Sequence, residues 1–287
     1  MKITFLGAGV FGTALAKIAE ENGHEVRFYD PYKYPEISLS DATNGSDLNI
    51  FTAPSSAAKD ILPKLDKETP LICASKGFLS LKPFSDFKNF SAFGGAGFAD
   101  EITAKIDENS AKANTTTFTT SSETAENVFS TETTHIEYTK DTLGIMLCGA
   151  LKNLYALGAG LYGETGAEKA SMPYLESAIS EMQEILKVNG ADPETLRLSC
   201  GAADLVLSCS EKGRNFRFGR ELKDTLKDAL KDTPKKEPKD NQTPESTTIE
   251  SLSIIKSLAD YPEFIIPESA TLLKDIIKTV EDYHVAQ

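Results

Sequence analysis

Apolar positions along the chain follow two different patterns. Up to about residue 139, short apolar runs alternate with amphipathic stretches. Strands are expected at Lys2–Leu6 (KITFL), Glu25–Tyr29 (EVRFY), Leu48–Ala53 (LNIFTA) and Leu71–Ala74 (LICA), and a strand-like segment ends at Ala92–Gly95. Thr-rich runs at Asn114–Thr120 and Thr134–Thr139 read as further strands by β-propensity. Helices are expected between them, at Thr13–Asn22, Ser56–Leu65 and Ser122–Phe129. Strands alternating with helices predict a parallel, doubly wound sheet whose ligands bind beyond the strand C-termini.

From Asp141 onward the strand pattern stops and helical spacing takes over. Leu143–Tyr162 is a long apolar run with Lys152 and Asn153 at its middle, and Asp141 is placed to cap it. A lysine is almost never fully buried without a partner or a task. The run is near the ~20 residues that span a bilayer, but a central Lys costs roughly 2.5–3.5 kcal/mol there. A soluble core helix is therefore expected. Lys152 then either snorkels outward or holds an amine in a dry pocket, where desolvation lowers its pKa and equips it as a base. Ser171–Asn189 is amphipathic, Asp192-Pro193 opens another helix, and helices at about Thr248–Ala259 and Pro267–Asp282 close the chain. Two domains are expected, 1–140 and 141–287, the second all-helical.

Composition narrows the partners. The 287 residues carry a net charge of −13, which argues against nucleic acid or an anionic membrane as the main partner. An anionic substrate must then be held by a local basic cluster. Cys73, Cys148, Cys200 and Cys209 show no C-x-x-C pair and no zinc-ligand spacing, so no metal is expected. Buried free thiols, and a first strand that follows Met1 without a leader, point to the cytoplasm. His24, His135 and His284 lack partners that would make them catalytic.

The chemistry begins at Gly7-Ala8-Gly9-Val10-Phe11-Gly12. It stands between a strand and a helix, and Asp30 ends the following strand. This is the dinucleotide motif in its required context: a tight turn at Gly7, backbone approach to a pyrophosphate at Gly9 and close packing at Gly12. Asp30 is placed to accept from ribose hydroxyls and to repel a 2′-phosphate, which favours NAD over NADP, though Lys33 nearby weakens that preference. Lys76 sits at the end of a strand, where a solvated loop lysine is the plain alternative. Asp204 lies in the apolar stretch Cys200–Cys209, either as a helix cap or as a buried carboxylate that pairs with Lys152 or a substrate hydroxyl. Arg214-Asn215 opens a segment and can grip a phosphate, or form a basic surface turn. Lys231–Thr243 is charged and Pro-rich and reads as a loop.

These blocks together resemble bacterial-type glycerol-3-phosphate dehydrogenases over nearly the whole chain. GAGVFGTALA (Gly7–Ala16), ASKGF (Ala74–Phe78), GGAGFADE (Gly94–Glu101), GALKN (Gly149–Asn153), GAADLVLSC (Gly201–Cys209), GRNFRFG (Gly213–Gly219) and IIPES (Ile265–Ser269) stand in the family's order. The resemblance implies hydride transfer between NAD(P) and C2 of sn-glycerol 3-phosphate, giving dihydroxyacetone phosphate, with the reductive direction feeding phospholipid synthesis. It implies Lys152 as the proton-transfer lysine, Lys76 as a contact to both cofactor and substrate, and Asp204 as a substrate ligand of the catalytic set. Asn153, Ser208, Gly213, Arg214, Asn215, Gly95 and Gly97 fall at substrate positions. Gly7, Gly9, Val10, Phe11, Gly12, Asp30, Lys76, Ala99 and Arg214 fall at cofactor positions.

Departures accompany it. Ala96 and Gly97 replace a usual Pro and Ser/Thr, Gly213 a common Ser, Met146 an acid, and Thr247 the glutamate of a V-E-G segment. The stretch between the second and third strands is short. Two other readings stay open: a related β-hydroxyacid-type dehydrogenase acting on another anion, and an inactive NAD(H) sensor. The sequence leaves monomer or homodimer undecided.

Overall fold

The structure is a computed structural model, and it describes residues 1–97, 102, 116–230 and 249–285. Ala99, Thr247 and the 231–243 loop lie outside the described residues. The first half is built on β1 (Lys2–Leu6), α1 (Val10–Glu21), β2 (Glu25–Tyr29), α2 (Leu39–Thr43), β3 (Leu48–Phe51), α3 (Ala58–Ile61) and β4 (Leu71–Cys73). It continues with β5 (Phe90–Ala96), β6 (Thr116–Thr120), α4 (Ala125–Phe129) and β7 (Thr134–Tyr138). The sheet order is β2-β1-β3-β4-β5-β6-β7. Strands β2 to β5 are parallel, β6 is antiparallel to β5, and β7 is parallel to β6. The sheet is thus not wholly parallel as expected. The β6–α4–β7 unit is parallel within itself, as a helical crossover requires, but runs against its neighbour. Because β1 lies between β2 and β3, the chain leaves it in both directions. A crevice opens there, beyond the strand C-termini.

Two predicted helices shorten for visible reasons. In the 56–65 stretch α3 is flanked by 3₁₀ turns, Ser55–Ala57 and Leu62–Lys64, the second carrying Pro63, which cannot continue an α-helix ladder. Asp192-Pro193 opens a 3₁₀ turn, Pro193–Arg197, instead of an α-helix, because Leu198 already turns extended.

The second half gathers around α5 (Thr142–Tyr162), capped by Asp141, whose Oδ1 accepts from Gly144 N at 3.0 Å. This helix is long and apolar enough to cross a membrane, but 94% of its apolar window is buried inside the fold. It is the core of the molecule. Around it stand α6 (Met172–Val188), α7 (Asp204–Ser208), α8 (Arg214–Leu230), α9 (Glu250–Ser257) and α10 (Thr271–Val285). Helix α8 crosses α5 with backbone nearly touching backbone. A Cβ on Gly160 would lie 2.0 Å from Phe216 O, and one on Gly219 2.0 Å from Leu157 O. Only glycine allows that approach, and it pins the start of α8 beside the C-terminal turns of α5. Helix α10 starts later than its pattern suggested. Its first N–H groups, Leu272 and Leu273, are satisfied by the Glu181 carboxylate of α6 at 2.7 and 3.0 Å, a cap supplied by a different helix.

Candidate active site

The glycine turn comes first. Gly7 has φ +115°, and a Cβ there would lie 2.6 Å from Ala53 N. The turn is therefore closed to any side chain. Gly9 differs: a Cβ built on it meets nothing within 4 Å among the described residues, which leave this face open. Gly9 also precedes α1 without any side-chain cap, leaving first-turn N–H groups free to meet an anion. An open glycine face and an uncapped helix start fit a dinucleotide pyrophosphate. Val10 stands exposed on the same turn, and the Phe11 ring lies 5.2 Å below the Lys76 ammonium.

Asp30 is committed to the turn itself. Its Oδ2 accepts from Ala8 N at 2.9 Å, and its Oδ1 accepts from Tyr32 N and Lys33 N at 3.0 and 3.1 Å. Lys33 Nζ donates to Ala8 O at 2.6 Å. The carboxylate and the lysine therefore hold the N–H and the C=O of one residue, Ala8, in the glycine turn.

The amine cluster lies across the crevice. Lys152, on the middle turn of α5, is 6% exposed and does not snorkel. Its Nζ donates to Asp204 Oδ1 at 2.9 Å and to Ser208 Oγ at 2.8 Å. Lys76 Nζ donates to Asp204 Oδ2 at 2.9 Å and to Gly95 O at 3.3 Å. One buried carboxylate thus bridges two ammonium groups. Asp204 gets there through an irregular turn. Ser199–Ala203 forms a π-helical turn in which Gly201 leaves helical geometry (φ −94°, ψ −116°) before α7 begins at Asp204. Insertions of this kind are frequent at functional sites.

Electrostatics follows from that geometry. Burial pushes the Lys152 pKa down, to about 8; Asp204 resists the shift and the like charge of Lys76 assists it. Burial would raise the Asp204 carboxyl, but Lys152 and Lys76 outweigh it and hold it below the usual carboxylate range. The cluster therefore keeps a carboxylate ionised and a lysine near the point of losing its proton. Ser208 accepts from Lys152, which leaves its own hydroxyl hydrogen to donate elsewhere.

The two site asparagines are used differently from a simple substrate grip. Asn153 Nδ2 donates to Lys76 O at 3.1 Å, and Asn215 Nδ2 donates to Asn153 Oδ1 at 3.0 Å. Asn215 Oδ1 accepts from Ser251 Oγ and N at 2.7 and 3.2 Å. Arg214, at the head of α8, stands exposed at the rim, within electrostatic reach of Glu250. Gly213 precedes it because the chain folds back sharply: a Cβ would lie 2.1 Å from Ser208 O. Gly95 offers its carbonyl to Lys76, whereas Gly97 packs near Thr116 and Ile102. His24 bonds Asn127 O and His135 stands exposed on β7.

Sequence reasoning missed Glu250 and Ser251. The expected glutamate position, Thr247, lies outside the described residues, but Glu250 brings a carboxylate to the crevice. Among the described residues its Oε2 is buried without a hydrogen-bond partner, and it lies 2.9 Å from where a Cβ on Gly77 would be. Burial raises its pKa, against the pull of Arg214 and Lys152. The only signal in the sequence was an acid opening an amphipathic helix, which any exposed helix also shows.

Comparison with known proteins gives one answer. The C-terminal model of NAD-dependent glycerol-3-phosphate dehydrogenase matches residues 141–261, and the N-terminal model matches residues 2–35. A glycerol-3-phosphate dehydrogenase (NAD(P)+) of Oceanobacillus iheyensis is 28% identical over 268 residues, covering 77% of this chain and 76% of that one. One from Agrobacterium fabrum is 29% identical over 258 residues, covering 76% and 78%. The solved glycerol-3-phosphate dehydrogenase of Coxiella burnetii has the same fold, with a TM-score of 0.72 at 20% identity over 98% of both chains. With two models of one family matching more than half of its length, the chain belongs to the NAD-dependent glycerol-3-phosphate dehydrogenase family.

Proposed function

We propose that this chain interconverts sn-glycerol 3-phosphate and dihydroxyacetone phosphate, with Lys152 as the group that moves the proton. The observation that carries the reading is a buried amine, poised to titrate near neutrality and held by Asp204 beside a second amine, Lys76. The bound nicotinamide supplies the hydride acceptor or donor. Oxidising the secondary alcohol at C2 releases a proton from its hydroxyl as hydride leaves the carbon. Neutral Lys152 takes that proton, and in reduction its ammonium returns one to the C2 oxygen.

Asp204 orients both amines. Lys76, between Phe11 and Asp204, reaches cofactor and substrate from one position. Arg214 and the free hydroxyl hydrogen of Ser208 hold the phosphate and set C2 at attack distance. In this reading residues 1–140 carry the dinucleotide and 141–287 the substrate. The reductive direction supplies glycerol 3-phosphate for phospholipid synthesis. The four free cysteines support a cytoplasmic site of action. The acidic balance supports a small-molecule partner over nucleic acid.

The test is oxidation of NADH and NADPH by dihydroxyacetone phosphate, followed at 340 nm with the purified protein. Turnover is expected with NADH ahead of NADPH, because a carboxylate at the end of β2 would repel a 2′-phosphate. Faster turnover with NADPH would keep the reaction and overturn that use of Asp30. No turnover with either nucleotide, despite measurable binding, would overturn the reaction and favour the sensor.

A further inference from the structure

We infer that Ser251, at the start of α9, is a positioning residue for this reaction: through Asn215 and Asn153 it fixes the backbone of Lys76. The inference rests on the roles proposed above for Lys152 and Lys76. Four segments far apart in sequence meet in one chain of hydrogen bonds. Ser251 gives two bonds to Asn215 Oδ1, Asn215 Nδ2 gives one to Asn153 Oδ1, and Asn153 Nδ2 gives one to Lys76 O.

The direction of this chain is forced from both ends. A backbone N–H can only donate, so the Ser251 end requires the oxygen of Asn215. A backbone carbonyl can only accept, so the Lys76 end requires the nitrogen of Asn153. Each amide is thereby locked against flipping. The lock holds in a water-poor place: Ser251 is 0% exposed, Asn153 6% and Asn215 9%. An unmade bond there leaves a buried polar group unsatisfied, so removing one member disturbs the others. The first turn of α9 also presses on the same spot from the side, since Glu250 Oε2 lies against Gly77, the residue after Lys76.

The consequence falls on a reacting amine. Lys76 Nζ is held between Asp204 and Gly95 O only while the turn that carries it stays in place. A misplacement of about 1 Å can lower a rate by ~10²-fold. Asn215 is thus a strut between α8 and α9 as well as a neighbour of Arg214, and α9 is part of the site although it touches neither amine by hydrogen bond.

The experiment compares Ser251→Ala with the unmodified protein in two ways. Without any ligand, the rate at which an amine-acylating reagent labels Lys76 is read by peptide mass spectrometry, with exposed Lys64 as the reference. Labelling of Lys76 is expected to rise severalfold while Lys64 is unchanged. With NADH and dihydroxyacetone phosphate, kcat is expected to fall at least about tenfold, the KM for NADH staying within twofold. Ser251→Thr, which keeps the hydroxyl, is expected to restore most of the rate. Combining Ser251→Ala with Asn153→Ala is expected to cost little more than the worse single change, because both cut one chain. If the alanine variant does not fold, Ser251→Cys keeps the volume and is read the same way. Unchanged labelling and kcat alongside a lower melting temperature would overturn the inference, as would losses that simply multiply. If the unmodified protein lacks turnover, the proposed reaction fails, and the labelling of Lys76 alone then decides for or against the relay.

Discussion

The glycine turn after β1 and the amine cluster on α5 face the same crevice, but the chain builds them by opposite means. The turn is mostly local: Gly7 to Gly12, Asp30 and Lys33 fall within one strand–helix–strand unit, the bonds of Asp30 and Lys33 close inside it, and Thr52 after β3 adds one to Gly7 O. The cluster is assembled from Lys76, Lys152, Asp204 and Ser208, brought from three places in the chain, the turn after β4, α5 and α7, by packing. A local motif tolerates change elsewhere in the fold. An assembled one depends on every contact that sets the elements against each other, including the glycine crossing of α5 and α8 and the polar chain that reaches Ser251.

Changes in the cluster should therefore separate chemistry from cofactor binding. The largest effect is expected for Lys152→Met, which removes the proton carrier. Turnover should fall by ~10³-fold or more, while NADH binding, followed by fluorescence, stays nearly intact. Asp204→Asn should follow, with kcat lowered by roughly 10²-fold, because both amines lose the charge that orients them. Its melting temperature should drop as well, as two partly buried ammonium groups then share no carboxylate. Arg214→Ala should act mainly on KM for dihydroxyacetone phosphate, raising it about tenfold to a hundredfold through loss of a charge-assisted phosphate contact. The smallest effect is expected on the other side of the crevice. Lys33→Ala should leave kcat with NADH unchanged and reduce use of NADPH by about threefold, the scale of one exposed charge. Loss of NADH binding in Lys152→Met, or loss of kcat in Lys33→Ala, would break the division between the two halves.

The same contrast explains what the sequence made legible. The glycine turn, the strands of the first half, α5 and its Asp141 cap could be read in order, because contiguous periodicity and spacing encode them. The charged residues of the cluster were also visible as oddities, a lysine and an aspartate inside apolar runs. Their partnership was not readable from the pattern alone, since Asp204 could equally have been an ordinary helix cap; it depends on the π-helical turn at Gly201 that re-aims α7. The reversed direction of β6 and β7 was hidden for a similar reason, because strand propensity carries no direction. Glu181 capping α10, and Ser251 completing the asparagine chain, are contacts across 91 and 36 residues of sequence. Nothing local distinguishes those residues from any other Glu or Ser on a helix. Asn153 and Asn215 show the limit of motif reading most directly: the motif located them, but their amides turn out to serve the backbone of Lys76.

The central claim is that Lys152 carries the proton, and its pKa of about 8 gives it a signature. The most direct test is the pH dependence of kcat/KM in both directions. Burial lowers this pKa, so the ammonium form prevails below about pH 8 and the neutral amine above it. Reduction of dihydroxyacetone phosphate needs the ammonium and should fall as pH rises through that value. Oxidation of glycerol 3-phosphate needs the neutral amine and should rise through the same value. Two opposed limbs sharing one midpoint near 8 are the predicted result. Profiles that stay flat between pH 7 and 9, or that move in the same direction for both reactions, would contradict it.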